Sequence, residues 1–354
     1  MGCLVDYLIS KIIYLPPKAA YSSYHSRFKD SYYEIATDDG KIAVVYINRH
    51  LPRTFIYLHG NAEDLFSTYN FLHWLAYLFN VNVISFDYPG YGQTSGKSTE
   101  SSLFRCSELF INHIINVNKI DPANIIIYGH SLGTAIACHM ALYMSSKKMP
   151  PSGLILQSAF TSVFGIVFNL RFPSSSDLYC TINIIDQIEC PVCFIHGNND
   201  QMIPRRHTEL LYQKVQLQYR TDILFVDDAG HNNVESRCFP RARYINHIRN
   251  FFIRISNQKN YEFYYNLTDF EENKSLYFPK ENSDSRDSTV IVHQISTESN
   301  IQPIPAKIYI PATSPSSTTT LSTTPYHNNN NIYNNNNIYK ENSIQIHQPL
   351  LSNS

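Results

Sequence analysis

The sequence predicts an α/β fold, a mostly parallel sheet with helices on both faces. Three observations carry that reading. Short apolar runs that suit strands alternate with stretches of helical spacing along the first 257 residues. An early pair of alternating segments flanks Asp39-Gly40 and reads as a hairpin. The run Ile125-Ile126-Ile127-Tyr128 enters Gly129-His130-Ser131-Leu132-Gly133 directly, a strand meeting a helix at a glycine-flanked serine.

Taken in order, residues 32–36 and 41–47 form the hairpin. Residues 54–58 make a short apolar strand that ends in His59-Gly60-Asn61, and apolar residues at helical spacing fill 65–79. The next strand, 83–86, ends in Asp87-Tyr88-Pro89-Gly90-Tyr91-Gly92. Leu103, Cys106, Phe110 and Ile114 mark one helix face before the strand at 125–128. Three further strands are expected at 153–157, 192–195 and 223–226, with helical stretches between them. A last helix presents Ile245, Ile248, Phe252 and Ile255. A hairpin followed by repeated strand–helix units implies the parallel sheet.

The 354 residues divide into three parts. Residues 1–30 hold an apolar N-terminal segment, and residues 31–257 hold nearly all of the core-forming pattern. Residues 258–354 are rich in Ser, Thr, Pro, Gln and Asn, including two four-residue Asn runs, and have too little to bury to offset chain entropy. They are expected to be a largely disordered tail. Formal net charge is −1, so nothing global points to nucleic acid or an acidic substrate. The 7 cysteines are irregularly spaced and no secretory signal precedes them, which fits a reducing, cytoplasmic setting. Cys190-Pro191-Val192-Cys193 has no second ligand pair and reads as the packed start of a strand. In that setting the sequons at Asn266 and Asn273 are expected to be idle.

The N-terminus, Met1-Gly2-Cys3, precedes an apolar run broken by Asp6 and Lys11, shorter than the roughly 20 residues that span a bilayer. Gly2 and Cys3 are lipidation candidates, since a myristoyl and a palmitoyl chain together anchor where one does not. Asp6 stands where the myristoylation pattern wants Ser or Thr. The alternative is an apolar helix packing on the body.

Chemistry centres on the glycine-flanked serine. The turn is too tight for a Cβ two residues either side of Ser131, and Gly129 and Gly133 supply bare backbone there. A serine hydroxyl needs a base to take its proton and a carboxylate to orient that base. On such a sheet the partners follow in the order Ser, Asp, His, each just past a strand end. The strand at 192–195 opens into His196-Gly197-Asn198-Asn199-Asp200, and the strand at 223–226 into Asp227-Asp228-Ala229-Gly230-His231. Asp200 and His231 are therefore the candidate acid and base. Asp227 and Asp228 are rivals for the acid but lie close to His231 in sequence. The oxyanion formed on attack needs backbone N–H donors, expected from Leu132 and from Asn61 in the loop after the third strand. His59 is expected to brace that loop.

These residues resemble the alpha/beta-hydrolase superfamily. A narrower resemblance comes from Leu15-Pro16-Pro17, His59-Gly60-Asn61-Ala62-Glu63-Asp64-Leu65, Phe86-Asp87-Tyr88-Pro89-Gly90-Tyr91-Gly92 and Ser95-Gly96-Lys97. Residues 124–129, Tyr179-Cys180 and Ala229-Gly230-His231-Asn232 add to it. Over residues 15–256 the chain is similar to the alpha/beta-hydrolase-domain-containing protein 17 family, whose members remove palmitate from cysteines of membrane-associated proteins. The resemblance implies an alpha/beta-hydrolase fold and a serine thioesterase using Ser131, Asp200 and His231, with no metal or cofactor. It also implies S-acylated membrane-associated proteins as partners, and residence on the cytoplasmic face of membranes. The chain departs from the family where His130 replaces the usual Gln and Leu132 the usual Ile. Cys3 alone stands for an N-terminal cysteine cluster, and the asparagine-rich tail has no counterpart.

About 33 residues separate Ser158 from Pro191, room for a minimal cap of one helix and loops. Within it Phe160, Val163, Phe164, Ile166, Val167, Phe168 and Phe172 either line an acyl groove or pack on the sheet. The first reading is hydrolysis of a long-chain acyl thioester of protein cysteine. Alternatives are a general carboxylesterase or lipase, and a non-catalytic hydrolase fold used as a binding module.

Overall fold

The computed structural model describes residues 13–18, 27–168, 177–238, 240 and 242–256. Gly2, Cys3, Phe172, Asn266, Asn273 and the tail from 258 lie outside the described residues.

Eight strands form one sheet in the order β1-β2-β4-β3-β5-β6-β7-β8. β1 (Tyr32–Thr37) and β2 (Gly40–Ile47) are the expected hairpin, with Ile35 opposite Ile42, and β2 runs antiparallel to β4 (Asn82–Phe86). From β4 onward every pairing is parallel, through β3 (Thr54–Leu58), β5 (Ile125–His130), β6 (Gly153–Gln157), β7 (Val192–Gly197) and β8 (Arg220–Val226). Every residue of β3, β4, β5 and β6 is buried, as strands covered on both faces require. β8 is the last strand and its burial alternates. Its polar start, Arg220-Thr221-Asp222, therefore extends the strand beyond the apolar run that marks it in the sequence.

The helices are α1 (Leu65–Leu78), α2 (Glu100–Asn116), α3 (Leu132–Ser146), α4 (Val163–Val167), α5 (Arg206–Lys214), α6 (Val234–Arg237) and α7 (Ala242–Ser256). Side chains of β5 alternate between two cores. Ile125 and Ile127 join Phe110, Ile114, Ile136 and Met140 of α2 and α3, whereas Ile126 and Tyr128 join Leu72, Leu75, Ile248 and Phe252 of α1 and α7. Helix α1 starts where Asp64 accepts from the Ser67 amide at 2.8 Å and Ser67 Oγ accepts from the Asp64 amide at 2.9 Å. That reciprocal cap fixes the chain six residues beyond β3 and stabilises the helix start by about 1 kcal/mol.

Cys190 and Cys193 are both buried, each in a different one of the two cores, and their thiols are pushed up by burial. They pack, as the sequence suggests. The segment between β6 and β7 divides. Phe160 and Val163 are buried and Phe164 and Ile166 pack partly on the sheet, whereas Val167 and Phe168 are exposed by 58% and 61%. Among the described residues, packing on the body therefore holds for part of this segment only.

Candidate active site

Ser131 sits between β5 and α3 at φ 52° and ψ −118°, a conformation few non-glycine residues adopt. Tight packing enforces it. A Cβ on Gly133 would lie 2.0 Å from the Leu58 carbonyl oxygen, and one on Gly129 would lie 2.5 Å from the Gly133 carbonyl oxygen. Helix α3 thus presses on the carboxyl end of β3, and the Ser131 amide donates to the Gln157 carbonyl at 3.0 Å.

The structure brings Ser131, Asp200 and His231 together from three strand ends. His231 Nε2 lies 2.8 Å from Ser131 Oγ, and His231 Nδ1 lies 2.7 Å from Asp200 Oδ2. With the proton on Nδ1, Nε2 accepts from the serine hydroxyl. All three residues are nearly excluded from water, at 9%, 5% and 8% exposure. Asp200 is itself pinned, its Oδ1 accepting from the amides of Met202 at 2.9 Å and Ile203 at 2.8 Å. Burial pushes its carboxyl up, but the hydrogen bond and charge of His231 and the Ile203 amide outweigh that and hold it below the usual range. A carboxylate so held stays ionised and fixes the imidazole's tautomer.

Two close approaches bring the acid and base loops together. A Cβ on Gly197 would meet the carbonyl oxygens of Ala229 at 2.4 Å and Gly230 at 2.6 Å. The Asn199 amide donates to the Ala229 carbonyl at 2.8 Å. Asp227 and Asp228 do not reach the imidazole. Asp227 is exposed, accepting from Asn198 Nδ2 at 2.6 Å, and Asp228 is an exposed turn residue at φ 57°.

Asn61 lies in the turn after β3 and Leu132 is the first residue of α3. Leu58 is paired with Gly129, so the loops that follow β3 and β5 leave adjacent strands at the same level. As the first residue of a helix, Leu132 carries an amide without an intrahelical partner. His59 braces the loop, with Nδ1 2.8 Å from the Gly60 carbonyl and its ring stacked on Tyr88 at 4.0 Å.

Sequence reasoning assigned no role to Glu63, His130 or Glu235. Glu63 Oε2 accepts from the Gly60 amide at 2.6 Å and stands 3.4 Å from His130 Nδ1. His130 Nε2 donates in turn toward the His231 carbonyl at 3.4 Å. Burial disfavours both charges, yet each partner stabilises the other: His130 rises to about 9 and Glu63 falls to about 2. The pair links the loop after β3, the end of β5 and the loop after β8. Glu235, four residues past His231, is buried and held by Gln157 Nε2 at 2.6 Å, while Tyr128 donates to Gln157 Oε1 and shares a hydrogen bond with Tyr244. Burial raises the Glu235 carboxyl. Glu63 stands three residues past Gly60, within reach of its amide; nothing in the sequence marks Glu235.

This geometry, a buried Ser–His–Asp relay at the carboxyl edge of a parallel sheet, defines an α/β hydrolase. The family model described as alpha/beta hydrolase fold matches residues 53–159. An esterase from Pyrococcus furiosus superposes with a TM-score of 0.51 at 16% identity, covering 67% of this chain and 99% of that one. The human alpha/beta hydrolase domain-containing protein 17B is 31% identical over 258 residues, 64% of this chain and 86% of the relative. A putative alpha/beta hydrolase of Acanthamoeba polyphaga mimivirus is 30% identical over 234 residues, 64% of this chain and 87% of its own length. The chain belongs to the alpha/beta hydrolase domain-containing protein 17 family of hydrolases.

Proposed function

We propose that the protein is a serine hydrolase that cleaves long-chain acyl thioesters of protein cysteines. The observation that carries the serine mechanism is the unbroken path from Asp200 through His231 to Ser131 Oγ, at 2.7 and 2.8 Å. His231 takes the hydroxyl proton as Ser131 attacks the acyl carbonyl, and the amides of Asn61 and Leu132 receive the oxyanion. The thiol leaves with the proton from His231, and water then releases the fatty acid by the same path in reverse. Asp200 keeps the imidazole oriented and stabilises its cationic form.

The thioester substrate is supported by the resemblance to protein 17 relatives and by a cap too short to form a domain-sized lid. Such an edge admits an acyl chain presented on a protein. S-acylated membrane-associated proteins are the proposed partners and the cytoplasmic face of a membrane the proposed place of action. Lipidation at Gly2 and Cys3 would hold the protein there, and Cys3→Ser is then expected to move it from the membrane to the soluble fraction. Unchanged fractionation would refute that anchor.

The deciding experiment compares wild type with Ser131→Ala on a palmitoylated cysteine peptide and on a short-chain ester. Thioester cleavage that disappears in the variant supports the whole reading. Serine-dependent turnover of the short ester alone reassigns the protein as a general carboxylesterase. No serine-dependent turnover of either leaves a non-catalytic binding module.

A further inference from the structure

The arm at residues 13–18 lies against the loop proposed to receive the oxyanion. The Leu15 amide donates to Asn61 Oδ1 at 3.1 Å, and the Tyr91 hydroxyl donates to the same oxygen at 2.6 Å. The Asn61 side chain is therefore held from two directions, one donor in the buried core and the other on the arm. Tyr14 fixes the arm. Its ring joins the core beneath α2 and α3, and its hydroxyl shares a 2.7 Å hydrogen bond with that of Tyr179, which it meets edge-on at 6.5 Å. Tyr179 is anchored in turn, its amide donating to Glu100 at the start of α2. Pro16 and Pro17 stiffen the chain that follows Leu15.

On the other side of the same loop the Gly60 amide is held by Glu63 and the His59 carbonyl by the Tyr88 hydroxyl at 2.7 Å. These bonds fix the two residues before Asn61. The peptide that carries the Asn61 N–H is held at the Gly60 carbonyl by His59 Nδ1 at 2.8 Å, and beyond it by the contacts of the Asn61 side chain. The orientation of that peptide decides where its N–H points, and an oxyanion donor works only when aimed at the position the charged oxygen will occupy.

We propose that Leu15 and Tyr91 are positioning residues for the oxyanion loop, acting through the side chain of Asn61, and that Tyr14 locks the arm that carries Leu15. This rests on the serine mechanism proposed above. The arm is thus part of the active site's support and not merely a connection leading into the first strand.

The substitution Leu15→Pro deletes one N–H at a site that already precedes a proline and leads an extended run, whereas Leu15→Ala keeps it. The test uses the full chain and a soluble short-chain ester, which removes any effect of membrane attachment. Active sites are counted by the stoichiometric burst with a fluorophosphonate, so that kcat is expressed per competent site. Leu15→Pro and Tyr91→Phe are each expected to lower kcat about tenfold at unchanged KM, short of the ~10²–10³-fold typical for outright loss of an oxyanion donor. Leu15→Ala is expected to restore the wild-type kcat. A purely structural role would lower the number of titrated sites and leave kcat per site unchanged, which would overturn the proposal. If Leu15→Pro yields no titratable protein, Tyr91→Phe and Tyr14→Phe decide by the same measure. Ser131→Ala run alongside separates the two levels: retained turnover there overturns the serine mechanism itself, whereas loss there with normal kcat in the positioning variants overturns only the arm's role.

Discussion

Ser131 pays for its exposed hydroxyl with backbone strain of about 1–3 kcal/mol, the usual range for a non-glycine residue at such angles. The contacts around it make no other conformation available. Gly133→Ala would drive a methyl into the Leu58 carbonyl, a backbone atom that cannot swing aside. Overpacking of this kind costs about 1–3 kcal/mol or more, and the variant is expected to lose at least that in urea unfolding together with its serine reactivity. Wild-type stability in Gly133→Ala would show that α3 does not press on β3 as described. The Glu63–His130 pair makes a pH prediction. His130 is raised to about 9 from an ordinary 6.5, so its contribution to stability is complete below 6.5 and is lost as pH rises through 9. Glu63 is lowered to about 2, so its contribution is present above its ordinary 4.5 and is lost as pH falls toward 2. Wild type is therefore expected to exceed Glu63→Gln in thermal midpoint near neutrality, with the gap closing between pH 7 and 10. A gap that stays constant across that range would mean the two side chains do not exchange charge stabilisation.

At the level of elements, the strands were legible wherever burial on both faces forces an unbroken apolar run. β3 matches its expected span residue for residue, and β5 and β6 were equally plain. β8 was legible only in its apolar half, because an edge strand alternates and its first residues are polar. The three strand-end loops holding Ser131, Asp200 and His231 could be read because glycines mark the close approaches. What could not be read was pairing across loops. The pairing of Glu63 with His130, or of Glu235 with Gln157, depends on which chain segments become neighbours, and one-dimensional periodicity carries no such information. Gly197 shows how much rests on that neighbourhood. Gly197→Ala is expected to force the Asp200 loop away from Ala229 and Gly230, and an ångström of misplacement at a catalytic group costs about 10²-fold in rate. The measurement is kcat on a short-chain ester per titrated site, and a variant within threefold of wild type would refute the dependence.

Over the whole molecule, the sheet separates two cores, and each must be sealed for the other to persist, since both share the same strands. Helices α2 and α3 cover one face and α1 and α7 the other. α7 is the last described element, and it seals its face with Tyr244, Ile245, Ile248, Phe251 and Phe252. Phe252 stacks on Phe55 of β3 at a centroid distance of 5.4 Å, and Phe251 occupies the space that a Cβ on Gly153 of β6 would need. The end of the described chain therefore closes the core under the strand that leads to the oxyanion loop. Phe252→Ala is expected to cost about 3–5 kcal/mol, the lost burial plus the cavity it leaves. Leu217→Ala, at a side chain 78% exposed, is expected to stay within about 0.5 kcal/mol of wild type. Urea unfolding followed by tryptophan fluorescence reports on this directly, because Trp74 lies in the same core with its ring 6.1 Å from that of Tyr244. A single transition that moves to lower urea in Phe252→Ala is the expected result, since both faces hang on the same strands. A Phe252→Ala midpoint indistinguishable from that of Leu217→Ala would mean that α7 rests on the sheet without sealing it.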